Sequence, residues 1–199
     1  MKRLNVPRVK QRKGENMTDD IWRRWVEERA TELRELVDLP PLAPLNPRVL
    51  AEAMGARVIY PDDIPRLSVA DRRQLSESGR NDWSGGTIAL PDGRIKIVLN
   101  PLHSKTRLRA TLMEELAHVH LRHKPSQLLL IDGELVTRSY DRKQEQEAYS
   151  VGAAALITAA HLDDASQRSL DRQTLARMYG VSVELVAFRE RMTQLQLCG

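Results

Sequence analysis

Between Ser104 and Pro125 the chain offers a helix whose circumference is mostly apolar. At about 100° per residue, Leu108, Val119, Leu112, Leu116, Met113, Ala117, Ala110 and Leu121 spread over an arc of roughly 220°. A helix covered in this way must be buried on most sides, so the rest of the fold has to be arranged around it. The remaining strip, about 100° wide, carries Glu114, His118, Thr111, Arg122 and Glu115. Glu114 and His118, four apart, project side by side, and Glu115 lies on the other edge of the same strip. Either the strip faces water as an ordinary polar pair, or it looks into a cleft. There, residues 114 and 118 could grip one metal ion while the glutamate between them polarises a water. The width of burial favours the cleft. His120 and His123 fall on the apolar arc and read as core or capping histidines.

Glu147 adds weight. The helix that follows it is apolar or small on all sides, through Ala148, Val151, Gly152, Ala153, Ala154, Ala155, Leu156 and Ile157. A carboxylate on such a helix is costly to bury unless a cation, metal or donor meets it. A pairing with Arg107, Arg109 or Arg122 is the structural alternative.

Local signals place these two helices in an α+β chain. Thr18-Asp19-Asp20 starts an amphipathic helix over 18–39, and Pro40, Pro41, Pro44 and Pro47 make a stiff linker. Asn46-Pro47 caps a short helix ending near Gly55. Strands are predicted at Arg57 to Tyr60, Thr87 to Leu90 and Arg94 to Leu99, the last two flanking the turn Pro91-Asp92-Gly93. Between them a short helix is expected near Val69 to Leu75. Asn100-Pro101 breaks the sheet, and the long helix runs from Ser104 to His123. A second hairpin is predicted from Leu128 to Tyr140 about Asp132-Gly133. Asp141, with Gln144 three residues on, starts a helix to about Ala160. The chain from Gln167 onward reads as helical.

Composition narrows the function. At 199 residues, 41% hydrophobic and 29% charged, the chain matches one soluble globular domain. The longest small and apolar run, Val151 to Ala160, is about half a bilayer crossing. No secretory pattern follows the basic start, and the single cysteine, Cys198, allows no internal disulfide, so the cytoplasm is the expected compartment. The net charge is +4, yet residues 1 to 13 hold six Lys or Arg and no acid. The basicity belongs to a tail, residues 1–17, rather than to a nucleic-acid-binding face.

The stretch Thr111-Leu-Met-Glu-Glu-Leu-Ala-His-Val-His-Leu-Arg-His123, followed by Glu145-Gln-Glu-Ala148, resembles the ImmA/IrrE family of metallopeptidases. Asn100-Pro101 after a strand and Tyr179-Gly-Val-Ser-Val-Glu-Leu-Val186 extend the resemblance over about residues 45 to 192. The resemblance implies a zincin-like fold, a zinc or other divalent cofactor, and a protein substrate such as a transcriptional repressor. By the family's H-E-x-x-H pattern, His118 matches the second histidine ligand, Glu115 the general base, and Glu147 the third, carboxylate ligand. Glu145, about 160° away around its helix, is the weaker candidate. The first ligand position holds Glu114 where the family has histidine. One imidazole and two carboxylates would neutralise a divalent ion, lowering its power to polarise water and favouring harder ions. The implied chemistry is peptide hydrolysis, with Tyr60, Tyr140 and Tyr149 as oxyanion-donor candidates and the strand Arg94 to Leu99 accepting an extended substrate.

Two other classes compete. A peptidase fold kept for binding a protein partner without turnover is favoured by Glu114. A DNA-binding regulator would use residues 174 to 190, where Thr174 to Val186 imitates a helix-turn-helix with Gly180 in the turn. Glu184 and Glu190 beside Arg189 and Arg191 make that surface poor for phosphate, so packing is the preferred reading.

The basic segment lacks apolar periodicity and precedes a helix start, so deleting residues 1 to 13 is expected to leave the melting temperature nearly unchanged. A drop of more than about 5 °C, roughly 1 to 2 kcal/mol for this size, would show that it packs on the core.

Overall fold

The computed structural model describes residues 19–78, 83–123, 129–131, 134–136 and 141–197. The proposed tail at 1–17, Tyr140 and Cys198 lie outside the described residues. The first helix, α1 (Asp19–Glu35), begins on two acids, which suit the positive end of the helix dipole, and buries Val26, Ala30 and Leu33.

Its last turn holds Arg34, only 4% exposed, and that arginine explains how the proline linker is fixed. One guanidinium nitrogen donates to the carbonyls of Pro40, Pro41 and Ala43 at 3.0, 3.1 and 2.7 Å. The other donates to the carbonyl of Ala155 at 3.0 Å. Prolines offer acceptors without donors, so a many-donor cation suits this segment. Arg189, 1% exposed, closes the other flank, donating to the Ile157 carbonyl at 2.8 Å and pairing with Glu27 of α1.

Asn46 caps α2 (Pro47–Ala53), its side chain accepting from the Arg48 N–H, and Gly55 turns the chain at a φ of +70° into β1 (Ala56–Ile59). A 3₁₀ turn at Pro61–Asp63 and a short helix, α3 (Val69–Arg73), run on into a π turn at Gln74–Ser78. Strands β2 (Gly85–Ala89) and β3 (Ile95–Leu99) pair antiparallel across the predicted turn, while β1 runs parallel to β3. The sheet order is β1-β3-β2. The strand expected to take a substrate, β3, is therefore central and paired on both sides, and β2 forms an edge of the described sheet. Alternation alone could not separate edge from centre, because Ile97, Val98 and Leu99 form a continuous buried run.

Buried Asn100 ends β3 by donating to the Trp83 carbonyl at 2.8 Å and accepting from the Leu102 N–H at 3.0 Å. Ser104 then caps α4 (Lys105–His120). A short antiparallel pair, β4 (Leu129–Ile131) and β5 (Glu134–Val136), precedes α5 (Arg142–Leu156), which Asp141 caps. The helix predicted to reach Ala160 stops at Ile157, because Thr158 caps a new one, α6 (Ala159–Gln167). Two more, α7 (Arg172–Tyr179) and α8 (Val183–Thr193), meet at Gly180, φ +64°. Leu185, Val186, Arg189 and Glu190 of α8 are buried. Two of the charges that a recognition helix would present are thus inside, and α8 packs against α5 and α6.

His161, fully buried in α6, accepts from the Thr158 N–H at 3.0 Å and completes a capping box. Burial, with the charge of Arg34 next, pushes its imidazole down to about 4. Between an unfolded value of about 6.5 and that folded value, the unfolded chain binds a proton that the native one does not. Stability is therefore expected to fall as pH drops from 6.5 toward 4, by up to about 1.4 kcal/mol per pH unit from this group. His161→Gln keeps an acceptor in the capping box without titrating. Urea midpoints measured against pH should fall less steeply for it than for the parent.

Candidate metal centre

Helix α4 lies between the sheet and α5, touching β2 and β3 as well as α5. Of the polar strip expected from the sequence, Glu114, Glu115 and His118 are half-buried, Thr111 is buried with Leu112, Met113, Leu116 and Ala117, and Arg122 lies past the helix end. One ligand atom each from Glu114, His118 and Glu145 lies within 4.8 Å of the other two. His118 Nε2 stands 3.6 Å from Glu145 Oε2. Two carboxylates and an imidazole gathered this closely, on two buried helices, fit a divalent ion.

The acid that α5 brings to this group is Glu145, where the family resemblance pointed to Glu147. Gly152 supplies the reason. A Cβ at that position would lie 3.0 Å from the backbone C and O of Met113 and 3.1 Å from the Glu114 nitrogen, so this face of α5 touches the α4 backbone directly. Glu145 is seven residues earlier and falls within about 20° of Gly152 around the helix, whereas Glu147 is about 140° away. The glycine was the available signal for which acid faces α4.

Glu147 instead meets His123, its Oε2 accepting from His123 Nε2 at 3.0 Å, and His123 Nδ1 is 3.0 Å from His118 Nδ1. His123 escapes the apolar arc because α4 ends at His120. Arg122 takes a left-handed φ of +55°, and the His123 N–H bonds the His118 carbonyl at 3.0 Å while the Arg122 N–H bonds that of Val119 at 3.1 Å. This pair of bonds is the Schellman closure, and it folds His123 back over His118. His120 does stay structural, contacting Glu32 of α1 at 3.0 Å. Burial lowers its imidazole more than Glu32 raises it.

Glu115 is held from the sheet. Thr87, in the middle of β2, donates its hydroxyl to Glu115 Oε2 at 2.7 Å. Thr87 carried no signal in the sequence, since only the strand register brings it over residue 115. Among the tyrosines, Tyr60 accepts from Arg48 at 2.6 Å and stands under its guanidinium. Tyr149, one turn beyond Glu145, packs its ring edge-on against Phe188 at 4.8 Å, and its hydroxyl is pushed up by burial and then by the charge of Glu114.

A family model, the IrrE N-terminal-like domain of a peptidase family, matches residues 51–190. The chain belongs to this family. No curated protein matches it closely enough to add a relative. The IrrE-like match runs from α2 into α8 and takes in every residue of the centre. It agrees with the α+β zincin-like architecture, a small sheet packed on the helix that carries the site. No described helix is long and apolar enough to cross a membrane.

Replacing Gly152 by alanine improves helix propensity by about 1 kcal/mol but drives a methyl into α4 backbone that cannot rotate away. Overpacking of this kind costs roughly 1 to 3 kcal/mol, so a net loss on the order of 1 kcal/mol is expected in urea unfolding. A more stable Gly152→Ala protein would show that the helices separate freely.

Proposed function

We propose that this chain is a metal-dependent endopeptidase acting on a regulatory protein such as a transcriptional repressor, with Glu114, His118 and Glu145 as metal ligands. The convergence of these three side chains beside a glutamate oriented from the sheet is the observation that carries the reading. A divalent ion bound there, zinc or a harder one, would supply Lewis acidity to a water and to the scissile carbonyl. Glu115 is the general base, and the Thr87 hydrogen bond fixes its carboxylate so that one rotamer serves proton transfer. Tyr149, on the helix that carries Glu145, is the candidate phenol for donating to the developing oxyanion. β2 accepts an extended substrate along its edge, which puts the peptide next to Thr87 and Glu115.

Glu114 favours a second reading, in which the fold binds its protein partner without turnover, because a second carboxylate lowers the acidity that the ion lends to water. Elemental analysis is expected to find about one divalent ion per chain, lost in His118→Ala and Glu145→Ala. Glu114→His restores two imidazoles at i and i+4 and should tighten zinc. Cleavage of a partner should rise with it and disappear in the Glu114→His, Glu115→Gln double variant with metal retained. Tighter zinc without cleavage selects the binding role, and unchanged zinc affinity in Glu114→His removes residue 114 from the centre.

A further inference from the structure

Beyond the three ligands, two side chains form a chain of contacts leading away from the centre, and one assignment of protons, with His123 neutral, satisfies both contacts and leaves His118 able to bind a metal ion. Glu147 is a carboxylate and accepts only, so the proton of its 3.0 Å contact with His123 resides on His123 Nε2. In a neutral imidazole the other nitrogen, Nδ1, is then an acceptor. It stands 3.0 Å from His118 Nδ1, so the proton of this second contact belongs to His118. His118 Nε2 is left with its lone pair, and Nε2 is the nitrogen that faces Glu145.

Resting on the metal-centre reading above, we propose that Glu147 and His123 are positioning residues, which act through His118 by holding it in the one tautomer able to bind a metal ion at Nε2. The arrangement is built to persist. The side chain of His123 is 7% exposed and that of Glu147 is 17% exposed, so water competes poorly for either contact. The backbone bond from the His123 N–H to the His118 carbonyl holds the two main chains together independently of the ring contact. The second oxygen of Glu147 faces Lys143 at 3.8 Å. A partner carboxylate on a ligating imidazole is worth ten- to a hundred-fold in metal affinity. Here the carboxylate works through an intervening ring, so Glu147 and His123 should act as one unit.

The test uses the full chain and zinc alone, titrated against a chromophoric chelator, with nitrogen-15 spectra of the imidazoles in metal-free protein. His118→Ala and Glu145→Ala are expected to lose zinc binding. Glu147→Gln and His123→Phe should each weaken it about ten- to a hundred-fold, and the double variant no further than the weaker single one. In the spectra, His118 should be the Nδ1–H tautomer in the parent and a mixture of both tautomers in Glu147→Gln, with Glu147→Asp partly restoring the parent signal. A purely structural role would leave that tautomer unmoved. If His123→Phe does not fold, the isosteric Glu147→Gln carries both measurements. Parental zinc affinity and tautomer in Glu147→Gln, with zinc lost in His118→Ala, overturn the positioning role and leave the centre standing. Complete loss in Glu147→Gln with zinc retained in Glu145→Ala makes Glu147 a ligand and overturns it also. Zinc retained in both His118→Ala and Glu145→Ala overturns the metal centre itself.

Discussion

The structure depends on how closely α4 and α5 approach at Gly152. All the acids and imidazoles of the centre come from these two helices and the turn that leaves α4. A backbone-to-backbone contact has no rotamer to adjust, so it sets both the separation of the helices and the rotation of α5 about its own axis. The alanines that follow, Ala153 to Ala155, are buried with almost no side-chain volume, which keeps the approach close beyond the glycine as well. Side chains with several torsions can then be held to a narrow set of positions, because the platforms they grow from do not drift.

The amount of the fold visible in the sequence followed the strength of its local codes. Caps written as Asn46, Ser104 and Asp141 gave helix starts within a residue of those observed, since each side chain satisfies backbone donors wherever the helix is placed. The glycine turn at Gly93 similarly located the β2–β3 hairpin. Where a position depended on a non-local partner, the local pattern was silent. Nothing near Arg34 announces that its donors fold onto three carbonyls of the linker, and only the sheet order makes β3 a central strand.

The centre divides along the same line. Glu114, Glu115 and His118 share a polar strip because one helix carries them, and helical period is readable from sequence. Glu145 and His123 are different cases. The first needs the rotation of α5, which a contact with another helix decides. The second needs the helix to end at a residue other than glycine in a left-handed conformation, a choice that arginine does not advertise. Glu114, Glu115 and Glu145 stand around His118, with His123 and Glu147 behind it. Carboxylates gathered in this way repel one another in a half-buried site, so a cation bound as proposed would also favour the folded state.

The clamps made by Arg34 and Arg189 join segments 121 and 162 residues apart in sequence. Loop entropy grows only as the logarithm of length, so the longer closure costs merely about 0.3 kcal/mol more than the shorter. Beyond their contribution to equilibrium stability, such contacts bear on the order of events in folding. Contacts of such separation form after local helices and hairpins, and interactions absent from the folding transition state act mainly on the rate of unfolding. The two arginines are thus placed to govern how long the native chain lasts once formed, while the helices that carry the metal ligands, near neighbours in sequence, govern how quickly it forms.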